Sequence, residues 1–301
     1  MLRVKRFKHK ILAIVYDFDG TLTPQPMQEY TVLPQIGITG RRFWGRVRRE
    51  KVKTYSDEIA TYMRLMIEQC HRREFPLTSA VLSSLAENIR YYRGVRNYFT
   101  RINRYVARKT KGRIILRHYI ISSGLKEIIE KTTIYRHFYN IFASEYHYDE
   151  YGKPDFIKNL INDTMKTQYI FRINKGIENL NKSINNYMPE QKRKIPFQNI
   201  IYIGDGITDV PCMTVTKKNG GSAIAVHKGT TESLRTCTQL LSAERVDFIA
   251  KADYNEGSEL DRIIKLLLEM KFQGIYYGRQ SVTQYNKYIR RYLPEALRRE
   301  Q

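Results

Sequence analysis

Residues 11–23 read "ILAIVYDFDGTLT": six apolar or aromatic residues run without interruption into two carboxylates, Asp17 and Asp19, which are followed at once by Gly20 and Thr21. A continuous apolar run of this length fits a strand buried on both faces of a parallel sheet, although periodicity alone does not separate it from a short buried helix. In open α/β sheets ligands gather outside the carboxyl ends of the strands. A strand that ends in two acids therefore offers a site as well as a core element.

Two further runs end in the same abrupt way, "HYIISSG" (118–124) and "NIIYIGDG" (199–206), and a weaker one, "GSAIAVH" (221–227), follows. Helical patterns fall between them, at Leu125 to Lys131 and at Lys166 to Leu180. Strands alternating with helices predict a three-layer, Rossmann-like α/β core around a parallel sheet. Such a sheet would bring Asp17 and Asp19 together with Ser122 and Asp205.

Residues 24–111 carry a different pattern. "SDEIATYMRLMIEQCH" (56–71) opens on Ser56 as an expected N-cap and stripes Ile59, Met63, Met66, Ile67 and Cys70. "TSAVLSSLAENIRYY" (78–92) and "VRNYFTRINRYVARK" (95–109) repeat the amphipathic spacing. A mainly helical cap inserted between the first two strands is expected, bounded by "TPQP" (23–26) and "KTKGR" (109–113), with residues 1–23 and 112–301 forming the core. "NKSINNYMPEQKRKIP" (181–196) reads as a solvated loop and "SELDRIIKLLLEMK" (258–271) as a capped helix.

The chain has 301 residues and a formal charge of +22, of which +12 lies in residues 24–113. That excess implies an anionic partner without choosing among phosphorylated metabolites, nucleic acid and an acidic membrane face. Three cysteines without C-x-x-C spacing suggest neither a disulfide framework nor a zinc site, and a reducing cytoplasm fits them. The basic start followed by a six-residue apolar run ends in acids rather than a small-residue cleavage site, and no run reaches membrane-spanning length. A soluble protein is expected.

Two neighbouring carboxylates buried together need a cation or a shared proton. Mg²⁺, which takes one or two carboxylates plus water and phosphate, suits Asp17 and Asp205, and an aspartate so placed can attack phosphorus. The ordered set "DFDGT" (17–21), "ISSG" (121–124), a downstream lysine and "GDGITD" (204–209) resembles the four motifs of the haloacid dehalogenase-like phosphohydrolase superfamily, and its phosphoserine-phosphatase-like branch most. The resemblance spans about residues 11–227. It implies Asp17 as nucleophile, Asp19 as general acid and base that lends only its backbone carbonyl to the metal, and Asp205 as a further metal ligand. Ser122 would bond a phosphoryl oxygen, with Gly20, Thr21, Ser123 and Gly124 shaping the phosphate turn. A lysine would neutralise the transferred group; Lys166 at a helix start is favoured over Lys175 and Lys153, and Asp209 would orient it or a metal-bound water. Thr208 stands where asparagine is common in that branch. The implied activity is Mg²⁺-dependent hydrolysis of a small phosphorylated metabolite; nucleic-acid ends or nucleotides, or a non-catalytic anion-binding role, are the alternatives.

Blander readings compete at several positions. A calcium loop fails because Gln28, not glutamate, occupies the twelfth position from Asp17. "RRFWGRVRREK" (41–51) could stack Trp44 on a base, but an amphipathic helix burying Phe43, Trp44 and Val47 explains it better. Asp149 and Glu150 read as turn residues, Cys212 as a structural thiol, and the histidines lack metal-ligand spacing.

Overall fold

The computed structural model describes residues 7–292. In chain order the elements are β1 (Ile11–Tyr16), α1 (Val32–Gln35), α2 (Gly40–Thr54), α3 (Glu58–His71), α4 (Ser79–Ser84), α5 (Val95–Thr110), β2 (Ile115–Leu125) and α6 (Lys126–Ile129). They continue with β3 (Phe138–Tyr148), β4 (Pro154–Asn159), α7 (Lys166–Lys175), β5 (Ile200–Gly204), α8 (Val210–Lys218), β6 (Ser222–His227), α9 (Thr231–Ser242), β7 (Phe248–Lys251) and α10 (Glu259–Tyr292). The strands form one sheet in the order β4-β3-β2-β1-β5-β6-β7, parallel except for the β3–β4 hairpin. After β1 the chain builds outward on one side through β2 and β3 and then returns to β5 on the other. The sheet thus has its topological switch point beside β1.

Alternate residues of β1 serve opposite faces, as the two-residue period of a strand requires. Leu12, Ile14 and Tyr16 join one buried cluster with Phe99 of α5 and Leu260, Ile264 and Leu268 of α10. Ile11, Ala13 and Val15 join another with Ile170 and Ile173 of α7, Met213 of α8 and Leu240 of α9. Helices cover both faces, which gives the three-layer α/β core its continuous apolar strands. Among the described residues no helix is long and apolar enough to cross a membrane.

The segment between β1 and β2 is helical, and its residues share the first cluster with the sheet: Phe43 and Val47 of α2, Met63 and Met66 of α3 and Leu82 of α4 are all buried. Its last helix, α5, packs on the sheet itself. Phe99 meets Tyr16 edge-on at 5.7 Å between ring centroids, the Tyr98 and Tyr16 hydroxyls lie 3.0 Å apart, and Arg101 pairs with Asp261 of α10. α5 is therefore the crossover helix between β1 and β2, whereas the earlier helices stand over the strand ends.

Several local expectations shift. Asp57, not Ser56, caps α3, accepting from the N–H groups of Ile59 at 2.8 Å and Ala60 at 3.0 Å. The pattern expected over 78–92 yields only α4 and a 3₁₀ turn ending at Asn88, since Ile89 turns extended. The helix expected over Leu125–Lys131 is one turn, Leu125 being held in β2. α7 stops at Lys175 rather than Leu180 because Gly176 adopts φ +69° and closes the helix with its N–H. β3 and the edge strand β4 flank the turn at residues 149–153, and there the Asp149 carboxylate accepts from the N–H groups of Tyr151 at 2.9 Å and Lys153 at 2.8 Å.

His118 of β2 is buried between Tyr16 and Phe99, its Nδ1 3.0 Å from the Tyr16 hydroxyl and its Nε2 3.1 Å from Asn103. Burial, reinforced by nearby His137, pushes its pKa down to about 3. An unfolded histidine takes up a proton near pH 6.5, so between that pH and about 3 the unfolded chain binds one proton more and stability falls with acidification. Replacing His118 by Gln is expected to lower the slope of unfolding free energy against pH by about 1.4 kcal/mol per unit between pH 4 and 6. Urea titrations with an unchanged slope would refute the buried neutral imidazole.

Candidate active site

The carboxyl ends of β1, β2 and β5 lie side by side. Tyr16 pairs with Ile120 on one side and Ile203 on the other, and the Asp17 N–H donates to the Ile203 carbonyl at 3.0 Å. Asp17 thus leaves the sheet level with the end of β5, while β2 runs on from Ile120 through Ser122 to Leu125. Gly20, at φ +80°, turns the chain back, and its α-carbon sits so close to the Asp205 carboxylate that any β-carbon would collide with it.

Lys166, 1% exposed, brings its Nζ to 3.1 Å from Asp17 Oδ1 and 2.8 Å from Asp209 Oδ1. The geometry separates the three candidate lysines. Lys175 Nζ is engaged by the Ile184 and Asn186 carbonyls, and Lys153 lies in the β3–β4 turn. Asp17, Asp205 and Asp209 present carboxylate oxygens within 4.8 Å of one another. Both Asp209 oxygens are committed, Oδ1 also to the Tyr202 hydroxyl at 2.7 Å and Oδ2 to the Asp205 N–H at 3.1 Å. The Asp19 carboxylate turns away from this trio and accepts from the Met27 N–H at 2.8 Å and the Thr23 hydroxyl at 3.4 Å.

Ser122, buried at the end of β2, accepts the Gly124 N–H at 3.0 Å, and Gly124 is pressed against Met27 and Asp19. The Ser123 carbonyl accepts the Tyr62 hydroxyl of α3 at 2.7 Å. Thr21 is fully buried with its hydroxyl unpartnered, while its carbonyl accepts the Tyr254 hydroxyl at 2.9 Å. An orphaned hydroxyl in this turn suits a loop built to receive a ligand oxygen. Thr208 is exposed.

Burial raises the Asp17 pKa to about 7, with Lys166 pulling it down and Asp209 pushing it up. Burial, followed by the Asp17 charge, holds Asp19 well above the carboxylate range, and burial with the Asp209 and Asp17 charges does the same to Asp205. Burial opposes the charge on Lys166, but the Asp17 and Asp209 carboxylates outweigh it and keep the ammonium more basic than usual. Were all three carboxylates ionised, one ammonium would leave two negative charges uncompensated, which is why the metal-free site favours protons on Asp17 and Asp205. That deficit fits a divalent cation, for which Asp17 and Asp205 have oxygens free while Asp209 is tied to its neighbours.

Tyr202 and Met27 were not legible as site residues. Tyr202 lies inside the apolar run that ends in Asp205, and Met27 follows "TPQP", which reads only as an exit from the strand. No spacing rule marks either one. Trp44 is partly buried rather than inside the core: its Nε1–H donates to Glu29 at 2.9 Å, and its ring meets Phe43 and Tyr62 edge-on.

Comparison with known proteins agrees with this architecture. An uncharacterized protein of Borreliella burgdorferi is 27% identical over 279 residues, covering 84% of this chain and 95% of its own length. A HAD family hydrolase from Salmonella enterica serovar Typhi superposes with a TM-score of 0.55 at 17% identity, covering 81% of this chain and 68% of that one. A phospho-aspartyl intermediate analogue of phosphoserine phosphatase superposes with a TM-score of 0.51 at 16% identity, covering 85% of this chain and 99% of that one. At these identities the superpositions speak for the fold. The profile of the haloacid dehalogenase-like hydrolases matches residues 14–214, two thirds of the sequence, including the three strand-end motifs and Lys166, and the chain belongs to that family.

Proposed function

We propose that the protein is a Mg²⁺-dependent phosphatase that hydrolyses a small phosphorylated metabolite through a phosphorylated Asp17. The observation that carries this reading is the Lys166 ammonium, buried between Asp17 and Asp209 with Asp205 beside them at the carboxyl ends of adjacent strands. A divalent cation held by Asp17, Asp205 and the Asp19 backbone carbonyl would neutralise the carboxylates and polarise the phosphoryl group. Asp17 then attacks phosphorus, and its bond to the phosphoryl group forms as the ester P–O bond breaks. Asp19, whose burial beside the Asp17 charge favours the protonated carboxyl, would give its proton to the departing oxygen. Deprotonated, it takes a proton from the water that cleaves the aspartyl phosphate.

Lys166 compensates the charge of the transferred group, and Asp209 and Tyr202 hold the lysine in place. Ser122 and the Gly20–Thr21 turn would bind phosphoryl oxygens. Asp17 is only 5% exposed beneath the helices that follow β1, so substrate entry requires that part of the inserted segment move. We place the moving cap within the expected insertion 24–111, leaving α5 with the sheet it packs on. A closed cap over a buried site favours small substrates, and a cytoplasmic location fits the unpaired cysteines.

Asp17→Asn is expected to lower Mg²⁺-stimulated turnover of p-nitrophenyl phosphate about a thousandfold or more, and wild-type-like turnover would remove the nucleophile assignment. Asp19→Asn should cost about a hundredfold more on an alkyl phosphate than on the aryl ester, whose leaving group needs no proton. Equal losses on both esters would count against a general acid at Asp19. Because Asp17 titrates near 7 in the metal-free protein, Mg²⁺ must displace protons, and its affinity should rise between pH 6 and 8. Calorimetry in buffers of different ionisation enthalpy would detect that proton release, and heats independent of buffer would contradict it.

A further inference from the structure

Asn162, in the turn that leads into α7, bonds to the residue that caps α3. Its Oδ1 accepts from the Met165 N–H at 3.0 Å and the Thr164 hydroxyl at 3.3 Å, and its backbone carbonyl accepts the Lys166 N–H at 3.0 Å. The Met165 N–H can meet only an acceptor, so the orientation of the carboxamide follows and Nδ2 is left to face away from α7. That Nδ2 donates at 2.9 Å to Oδ2 of Asp57, the residue whose Oδ1 caps α3. The Asp57 carboxylate thus caps α3, the Asn162 carboxamide closes the turn that leads into α7, and the two side chains bond to each other. Five residues along the same helix, Tyr62 donates to the Ser123 carbonyl. α3 therefore touches both the segment that carries Ser122 and the segment that carries Lys166.

We propose that Asn162 is a positioning residue for Lys166, and that its bond to Asp57 is the joint through which the inserted helices, when closed, set the place of that lysine. The proposal rests on the phosphatase reading of the site. Lys166 reaches Asp17 through a flexible stem, so where its ammonium lies depends on where the first turn of α7 is held. Asn162 holds that turn from two sides, by its side chain and by its carbonyl. Displacements of about 1 Å in such an assembly can cost on the order of a hundredfold in rate. The Asp57–Asn162 bond is solvent-facing and single, which suits a contact made and broken as the site opens.

The test exchanges donor and acceptor. Asn162→Asp keeps an acceptor for the Met165 N–H but sets a second carboxylate against Asp57; adding Asp57→Asn re-forms the bond in the opposite sense. With p-nitrophenyl phosphate and Mg²⁺, Asn162→Asp should lose about tenfold in kcat while KM stays within about threefold, and the double variant should recover to within about threefold of wild type. Amide hydrogen exchange in the first turn of α7 should speed up in the single variant and slow again in the double one. Wild-type kcat in Asn162→Asp, or a double variant no better than the single, overturns the joint. If wild-type protein shows no turnover that depends on Asp17, the phosphatase reading fails instead; exchange then decides alone, and unchanged exchange in Asn162→Asp overturns the proposal.

Discussion

One buried ammonium holds the centre of this molecule together. Lys166 Nζ sits 3.1 Å from Asp17 and 2.8 Å from Asp209, each of the three residues at most 5% exposed. Charges this deep are tolerated only when paired and hydrogen-bonded, and loss of one partner typically costs about 3–5 kcal/mol. The pairing dictates geometry. β1 must end beside β5, α7 must begin beneath both, and the Asp209 turn must fold back so that its carboxylate meets Lys166, Tyr202 and the Asp205 N–H together. Glycine at 204 is part of the same constraint, since a β-carbon there would strike the Asp209 carboxylate.

The inserted helices are built into the same apolar cluster as one face of the sheet. Phe43, Met63, Met66 and Leu82 pack in continuity with Tyr16, Phe99 and Ile264. The surface that these helices bury against the sheet therefore also stabilises the fold. Directional contacts at the strand ends, such as the Tyr62 hydroxyl on the Ser123 carbonyl, add register to that burial. α5 stands apart from the rest of the insertion: its ring contacts with Tyr16 and its ion pair with Asp261 make it a layer of the core.

Part of the positive charge is spent inside the protein. Arg172, 7% exposed, donates to the carbonyls of Ile177, Asn179, Lys182 and Leu180, and Lys175 binds the carbonyls of Ile184 and Asn186. These two cations fold the polar segment after α7 by satisfying backbone groups that lack secondary-structure partners. Lys271, buried against the Gln198 carbonyl and the Ser222 hydroxyl, is pushed by that burial down to about pKa 8. The surface excess is carried instead by helices such as α2, where Arg41, Arg42, Arg48, Arg49, Lys51 and Lys53 are exposed.

The parallel core and its site were legible in the sequence because their signals are local. Apolar runs around residues 11–16, 119–121 and 200–203 can only be buried, and acids at 17, 19 and 205 can only follow them at a strand end. Amphipathic spacing likewise gave the stripe of α5 and part of that of α3, where Met63, Met66 and Cys70 are buried but Ile59 and Ile67 only partly, while Tyr62 and Leu65 turn inward instead. What tertiary structure decided depends on partners distant in the chain. Among three lysines, only packing of α7 beneath β1 and β5 brings the one at 166 to Asp17. β3 and the edge strand β4 hide in a tyrosine-rich stretch, β3 finding its pairing on β2 and β4 on β3, and β7 is four residues long. Whether a helix in the insertion covers the site or backs the sheet is set by which apolar stripe finds the other, because hydrophobic burial has no direction of its own and the contacts of Phe99 and Tyr62 lie outside any local window.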